Sequence, residues 1–205
     1  MSRSQPPFRF SLTLDGFADD LQVLSFSGTE AISTPYAFEL VLVSERADLD
    51  LVALLHTPAF LAYGAGGAGI HGHIYSIAQG DPHQRLTFYT LTLVPQLTYL
   101  EHRTNQRVFQ QLTVEQIIAQ LLEEHGIFSN TVTFKLDTTY QARDYCVQYH
   151  ETDLHFIQRL CEEEGIHYHF RHSGLVAEES AISCMTWAYL ASRSSSASLK
   201  TRLKC

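Results

Sequence analysis

Cysteine is scarce in this chain, and the four present (Cys146, Cys161, Cys184, Cys205) stand at irregular spacing. That excludes a disulfide framework and a CxxC metal knuckle. No run of eighteen apolar residues occurs, so no helix can span a bilayer. The start, MSRSQPPFRF, lacks the apolar core of a secretory signal peptide, which implies a soluble chain made in the cytoplasm. Basic residues are also few: 14 Lys and Arg stand against 22 Asp and Glu, for a net charge of −8. Nucleic acids and anionic membranes require clustered cations, so neither is an expected partner. No G-x-S-x-G nucleophile elbow occurs.

The first hundred residues carry β patterning instead. Phe8, Phe10, Leu12 and Leu14 alternate with polar residues, and Asp15-Gly16 marks a turn. A second strand spans Leu21 to Phe26 and ends at Ser27-Gly28. A third, opened by Pro35, alternates through Tyr36, Phe38, Leu40 and Leu42. Leu51 to Leu55 reads as a short helix before Pro58. Ile70 to Ala78 and Arg85 to Val94 read as longer strands separated by the turn-rich QGDPHQ. Strands at this spacing predict a closed or nearly closed antiparallel barrel over residues 1–100.

Residues 101–172 predict helix–strand elements. Thr113 and Gln116 form a capping box, Val114, Ile117, Ile118, Leu121 and Leu122 make an apolar stripe, and Gly126 ends the helix. A second helix starts at the N-cap Thr152 with Asp153 in its first turn. It buries Leu154, Phe156, Ile157, Leu160 and Cys161, and ends at Gly165. Leu112 to Ile127 and Glu151 to Ile166 echo each other 39 residues apart, by shared capping chemistry or by duplication.

Four features invite a chemical reading. Gly64 to Gly69 fits G-x-G-x-x-G, but a strand follows where a dinucleotide fingerprint needs a helix, so a hairpin loop is favoured. His71 with His73, and His167 with His169 near His172, put pairs of imidazoles on one strand face. No further ligand stands at matching spacing, and no metal or cofactor is expected. Cys146 and Cys161 fall on a strand and an apolar stripe, where thiols are inert. Glu123-Glu124 and Glu162-Glu163-Glu164 sit at helix C-termini, facing different directions, expected to be mostly solvated and available for interaction. No catalytic residue emerges.

One stretch is more specific. From Arg143 to Phe170 the chain reads RDYCVQYHETDLHFIQRLCEEEGIHYHF. It resembles the signature of the VgrG family, the spike proteins of the bacterial type VI secretion system, which are related to the tail hub of contractile phages. The resemblance rests on Tyr145-Cys146-Val147-Gln148-Tyr149, Glu151-Thr152-Asp153, Phe156, Arg159-Leu160, Glu162-Glu163-Glu164-Gly165-Ile166, Tyr168 and Phe170. GIHGHIYSI, YTLTLVPQL and Gln106 to Gln110 fit the same pattern, so it covers about residues 8–172.

The resemblance implies an α+β, mainly antiparallel fold: a tail-hub barrel with inserted helix–strand elements. It implies a structural protein, not an enzyme. The expected assembly is a homotrimeric base that docks on a hexameric Hcp tube, helps to deliver secreted effectors by mechanical puncture, and leaves through the type VI apparatus. Tyr145, Gln148, Tyr149, Asp153, Phe156, Arg159, Leu160, Glu163, Gly165 and Tyr168 are its signature residues, with Arg159 expected to pair with Asp153 or Glu163. Aromatic residues usually stand around the positions of His167 and His169, which implies packing there. Alternatives are a phage-like tail hub, a truncated remnant without spike function, and, least favoured, a histidine metalloenzyme.

After His172 the family pattern stops. Residues 173–205 are serine-rich, turn basic through Arg193, Lys200, Arg202 and Lys204, and hold the sole tryptophan, Trp187. Neither strand alternation nor the family's further barrel strands and needle are evident there. A truncated or frameshifted product with a disordered tail is the expectation.

Overall fold

A computed structural model describes residues 10–17, 21–63, 68–83, 85–172, 181–186 and 199–204. Its first unit is one curled antiparallel sheet. Strands β1 (Ser11–Leu14), β2 (Gln22–Ala31), β3 (Thr34–Ser44), β4 (Pro58–Ala62), β5 (Gly69–His83) and β6 (Leu86–Val94) lie in the order β1-β4-β5-β6-β3-β2. The helix α1 (Leu51–Leu54), capped by the Asp50 carboxylate, leads into β4. Curling brings the two ends of the sheet together through side chains, with the Phe10 ring edge-on to Phe26 at 5.1 Å. Alternation supplies the filling: Leu40, Leu42, Tyr89, Leu91 and Leu93 are fully buried inside.

Two strands run further than the sequence suggests. β2 continues through Gly28 to Ala31, because Gly28 lies opposite Phe38 in the ladder instead of forming a turn. A Cβ there would stand 2.6 Å from the Ala37 carbonyl oxygen, so glycine serves close approach. β5 runs through QGDP to His83, and a register shift between Gln79 and Pro82 absorbs the missing proline donor. Phe8 lies outside the described residues.

The second unit begins at the 3-10 turn Gln96–His102, whose Leu97 and Leu100 already belong to its core. There follow β7 (Thr104–Phe109), α2 (Val114–Glu124), β8 (Val132–Lys135), β9 (Cys146–Thr152), α3 (Asp153–Glu164) and β10 (Ile166–Arg171). The predicted capping box on Thr113, the Thr152 cap and the left-handed Gly165 (φ 65°) are all present. Phe156, Leu160, Ile117 and Leu121 form the buried centre, with Phe156 stacked on Phe109 at 5.6 Å.

The 39-residue echo has a spatial counterpart. β7 and β9 pair antiparallel with Val108 directly opposite Val147, its own equivalent. The flanking pairs, Arg107 with Gln148 and Phe109 with Cys146, exchange under the same offset. The pairing of β7 with β9 therefore has a local two-fold relation centred between the two valines.

The units are joined along β10. Ser33, in the β2–β3 turn, donates its N–H to the Tyr168 carbonyl at 2.8 Å. Phe170 packs edge-on to Tyr36 at 4.9 Å, and the His172 ring accepts from the His71 N–H at 3.2 Å while its other nitrogen meets Glu30 at 2.8 Å.

Part of the tail differs from the expectation. β11 (Ala181–Thr186) pairs antiparallel with β10 and parallel with β8, and β12 (Leu199–Lys204) extends the large sheet beside β2. The strand β12 does alternate: Leu199, Thr201 and Leu203 interleave with Lys200, Arg202 and Lys204, a pattern that the basic composition hides. Open neighbouring edges supply the remaining drive, since strand formation depends on what it pairs with. Residues 173–180 and 187–198, with Trp187 and Arg193, lie outside the described residues.

Candidate functional site

The signature residues gather around the β7–β9 ribbon and the helix α3. Asp153, the first residue of α3, is completely buried, and its carboxylate is the centre of a polar cluster. It accepts from Arg103 Nε at 2.5 Å, Gln148 Nε2 at 2.7 Å, His125 Nε2 at 2.8 Å and Asn105 Nδ2 at 2.9 Å, with Arg107 at 3.4 Å. Burial alone would push this carboxyl up; the hydrogen bonds from Gln148, His125, Asn105 and Arg103 outweigh it and hold the carboxyl well below its ordinary value. Arg103 and Arg107 also share Glu124, at 2.6 and 2.8 Å. Gln148, itself fully buried, accepts from its cross-strand partner Arg107 Nε at 3.0 Å while donating to Asp153 at 2.7 Å, and so ties the strand pair to the start of the helix.

A second network ties α3 to the outside of β9. Arg159 holds Glu151 at 2.6 Å and Glu163 at 2.7 Å, and its guanidinium lies 5.1 Å from the Phe156 ring centre. Of the two partners expected for Arg159, Glu163 is one; Asp153 is not, because it lies inside the cluster formed by Arg103, Gln148 and their neighbours. Arg143 completes the network with Glu163 at 2.8 Å and Glu164 at 2.5 Å. The helix-terminal glutamates are mostly exposed, as expected, and three of them, Glu124, Glu163 and Glu164, also hold an arginine within the chain. Hydrogen bonds from Arg143, then Arg159, lower the Glu163 carboxyl against the opposing effect of burial.

The outer face of the ribbon is the opposite in character. Tyr145, Val147 and Tyr149 point to solvent beside Val108 and Gln106, while the alternate residues Cys146 and Gln148 point inward. The strand starts at Cys146, one residue after its expected start, and runs on to Thr152. Leu160 and Tyr168 are core residues, and Tyr168 is reached by Gln158 Nε2 at 3.3 Å.

Sequence reasoning missed Arg103, Asn105, Arg107 and His125. Their signal is the spacing of the first three: Asn105 and Arg107 alternate on one face of β7, and Arg103, the extended residue just before the strand, continues the same spacing. Such a polar face turned inward needs a buried counter-charge, which Asp153 supplies.

The chemical alternatives find little support. Burial raises the Cys161 thiol to about 12, which removes its nucleophile. His71 is buried against Phe60 with ring centres 4.4 Å apart, and His73 stands edge-on to Tyr99. Burial, then the nearby His169, lowers the basicity of His167. Among the described residues, no cluster of three or more His, Cys, Asp or Glu side chains could hold a metal ion. Gly64 to Gly67 lie outside the described residues, and the flanking strands β4 and β5 pair antiparallel, with the Tyr63 N–H bonded to the Ala68 carbonyl.

Comparison with known proteins decides the family. The family model of the phage tail baseplate hub (GPD) matches residues 29–192. The chain belongs to the phage tail baseplate hub family. This hub chain is 65% identical over 164 residues to the type VI secretion system spike protein VgrG4b of Pseudomonas aeruginosa, covering 80% of the chain and 20% of the relative. It is 56% identical over 165 residues to VgrG5 of the same organism, covering 80% and 21%. The hub chain thus spans about a fifth of the length of these curated relatives. Among solved structures, its fold matches the E. coli c3393 protein with a TM-score of 0.81 and 27% identity, over 85% of this chain and 48% of that one. That protein is described as a component of the type VI secretion system with structural similarity to the T4 bacteriophage tail proteins gp27 and gp5. The expected mainly antiparallel tail-hub fold is the fold observed. No helix among the described residues is long and apolar enough to cross a membrane.

Proposed function

We propose that this chain is a hub piece of a type VI secretion spike base, with a mechanical role and no bond chemistry of its own. The observation that carries the reading is the 65% identity to VgrG4b over 164 residues, 80% of the chain. In this reading, three copies form a ring, the ring docks on a hexameric Hcp tube, and the joined units pass the thrust of contraction toward the spike and its effectors. The build of the second unit suits such a load. Its strands, helices and the barrel are cross-tied by charge-assisted hydrogen bonds around Asp153 and Arg159 and by the β10 contacts. These give geometry that does not slide, whereas apolar packing alone is non-directional.

Co-sedimentation with assembled Hcp tubes from the same bacterium tests it. The chain is expected to pellet with tubes in proportion to their number of ends, and a chain left wholly in the supernatant would contradict docking.

A further inference from the structure

The large sheet curls until its ends meet, yet no ladder of hydrogen bonds joins β1 to β2 across the seam. By itself, the far side of β2 would therefore be an open edge, a template on which any extended chain can pair. Residues Leu199–Lys204 stand on that edge. Their strand β12 runs antiparallel to β2, from Leu199 opposite Glu30 to Lys204 opposite Ser25, without a register shift. Among the described residues no strand pairs with the other side of β12, so it ends the sheet.

The register sorts β12 by face. Leu203 stands opposite the buried Phe26, and Thr201 opposite Gly28, whose neighbour on β3 is the buried Phe38. The three cations take the alternate rows. Lys200–Thr29–Ala37, Arg202–Ser27–Glu39 and Lys204–Ser25–Val41 each run across β12, β2 and β3. Alternation puts these rows on the outer face, where Glu39 is the one ionisable residue that β2 and β3 contribute to them. The edge is thus matched by a segment with small or apolar residues inward and cations outward.

We propose that the far side of β2 is a strand-acceptor site for a short, basic, extended segment, and that Leu199–Lys204 is its occupant within the chain. Main-chain hydrogen bonds supply the affinity in such strand addition, and alternate side-chain positions supply the selection. Net charge favours a cationic occupant, since the chain carries −8 and places three of its 14 Lys and Arg within these few residues. The cations also decide where pairing stops. Lys and Arg along an edge strand oppose the addition of another strand, so the occupant caps the sheet and does not extend it. This site depends neither on docking nor on trimeric assembly.

Hydrogen exchange and peptide binding, both with the full chain under reducing conditions, test the site. Thr201→Pro combined with Arg202→Pro unseats β12, because successive N–H groups of a strand point to opposite sides and one of these two faces β2. Near-ultraviolet circular dichroism checks the fold. In the wild type, the Ser25–Glu30 amides directed away from β3 are expected to be protected, and in the double variant to exchange at least about tenfold faster. A fluorescent synthetic peptide with the sequence of Leu199–Lys204 is expected to bind the double variant at least about tenfold more tightly than the wild type, where the tethered strand competes. The same peptide with glutamate at the three cationic positions is expected to bind at least about tenfold more weakly. Wild-type amides on this edge that exchange as fast as those of an unstructured peptide overturn the proposal, and that result needs no variant to fold. Exposed amides in the double variant without peptide binding also overturn it, as does equal binding of the acidic peptide. Association of the double variant with itself that the peptide does not reverse gives the edge to a second copy, and overturns it too.

Discussion

The Arg159 guanidinium donates to the main-chain carbonyl of Val147 at 3.0 Å, so the helix α3 reaches around and covers the outer edge of the strand β9. The same side chain holds Glu151 and Glu163. One residue thereby joins a strand edge, a strand end and a helix end.

Arg159→Ala is expected to cost about 2 kcal/mol, read as a shift of the urea midpoint. Most of that comes from taking the forked donor from the largely buried Glu151, which keeps only His155 at 2.9 Å, and from the Val147 carbonyl, while the more exposed Glu163 pair adds well under about 1 kcal/mol. Arg159→Lys keeps the charge but loses the forked geometry, and is expected to recover less than half of the loss. A wild-type midpoint for Arg159→Ala would mean that the edge is held by something else.

Asp153→Asn tests the inner cluster. It removes the charge that Arg103, Arg107 and His125 surround, while adding an N–H that faces the donors of Gln148 and Asn105. The expected cost is about 3 kcal/mol, because breaking a buried pair orphans its partners. A loss below about 1 kcal/mol would show that the cluster contributes little.

Acid should weaken the protein in two steps. Asp153, Glu124, Glu151 and Glu163 have carboxyls lowered in the folded state, so their contribution is complete above the unfolded carboxylate range, about 4. It is lost as pH falls below that range through their folded values. His167 is also lowered, so its smaller contribution is complete above about 6.5 and lost below. Urea midpoints across pH are expected to dip slightly below about 6.5 and to fall steeply below about 4. His167→Gln should reduce the first step, and Asp153→Asn should flatten the second. An unchanged acid limb in Asp153→Asn would contradict the assignment.

Two glycines are expected to differ in what alanine costs. At Gly165 an added Cβ meets nothing within 4 Å, so Gly165→Ala pays only for its left-handed backbone, about 1 kcal/mol. At Gly28 the Cβ runs into the Phe38 ring and the Ala37 carbonyl, so Gly28→Ala must displace backbone in the sheet and cost more, at least about 2 kcal/mol. Thermal unfolding of both variants gives the order directly.

Local chemistry was the legible part of this fold. Thr113 with Gln116, Thr152 and Gly165 announce their caps because each motif is complete within four residues. The alternation from Tyr36 to Leu42 announces β3 in the same way. Gly28 misled because glycine marks both a turn and a close approach, and only the cross-strand neighbour Phe38 tells them apart. Arg103 and Asn105 could not be matched to Asp153 across about fifty residues, since nothing local encodes which β-ladder brings them together. The exposed ribbon face was half legible: alternation puts Tyr145, Val147 and Tyr149 on one side, but which side faces water depends on where α3 packs.

The central claim is that the hub carries its own assembly information. Light scattering coupled to size exclusion gives the absolute mass of the full chain in solution. Trimeric assembly predicts three times 23.2 kDa, about 70 kDa, held across a dilution series. A single species at 23.2 kDa at every concentration would contradict it.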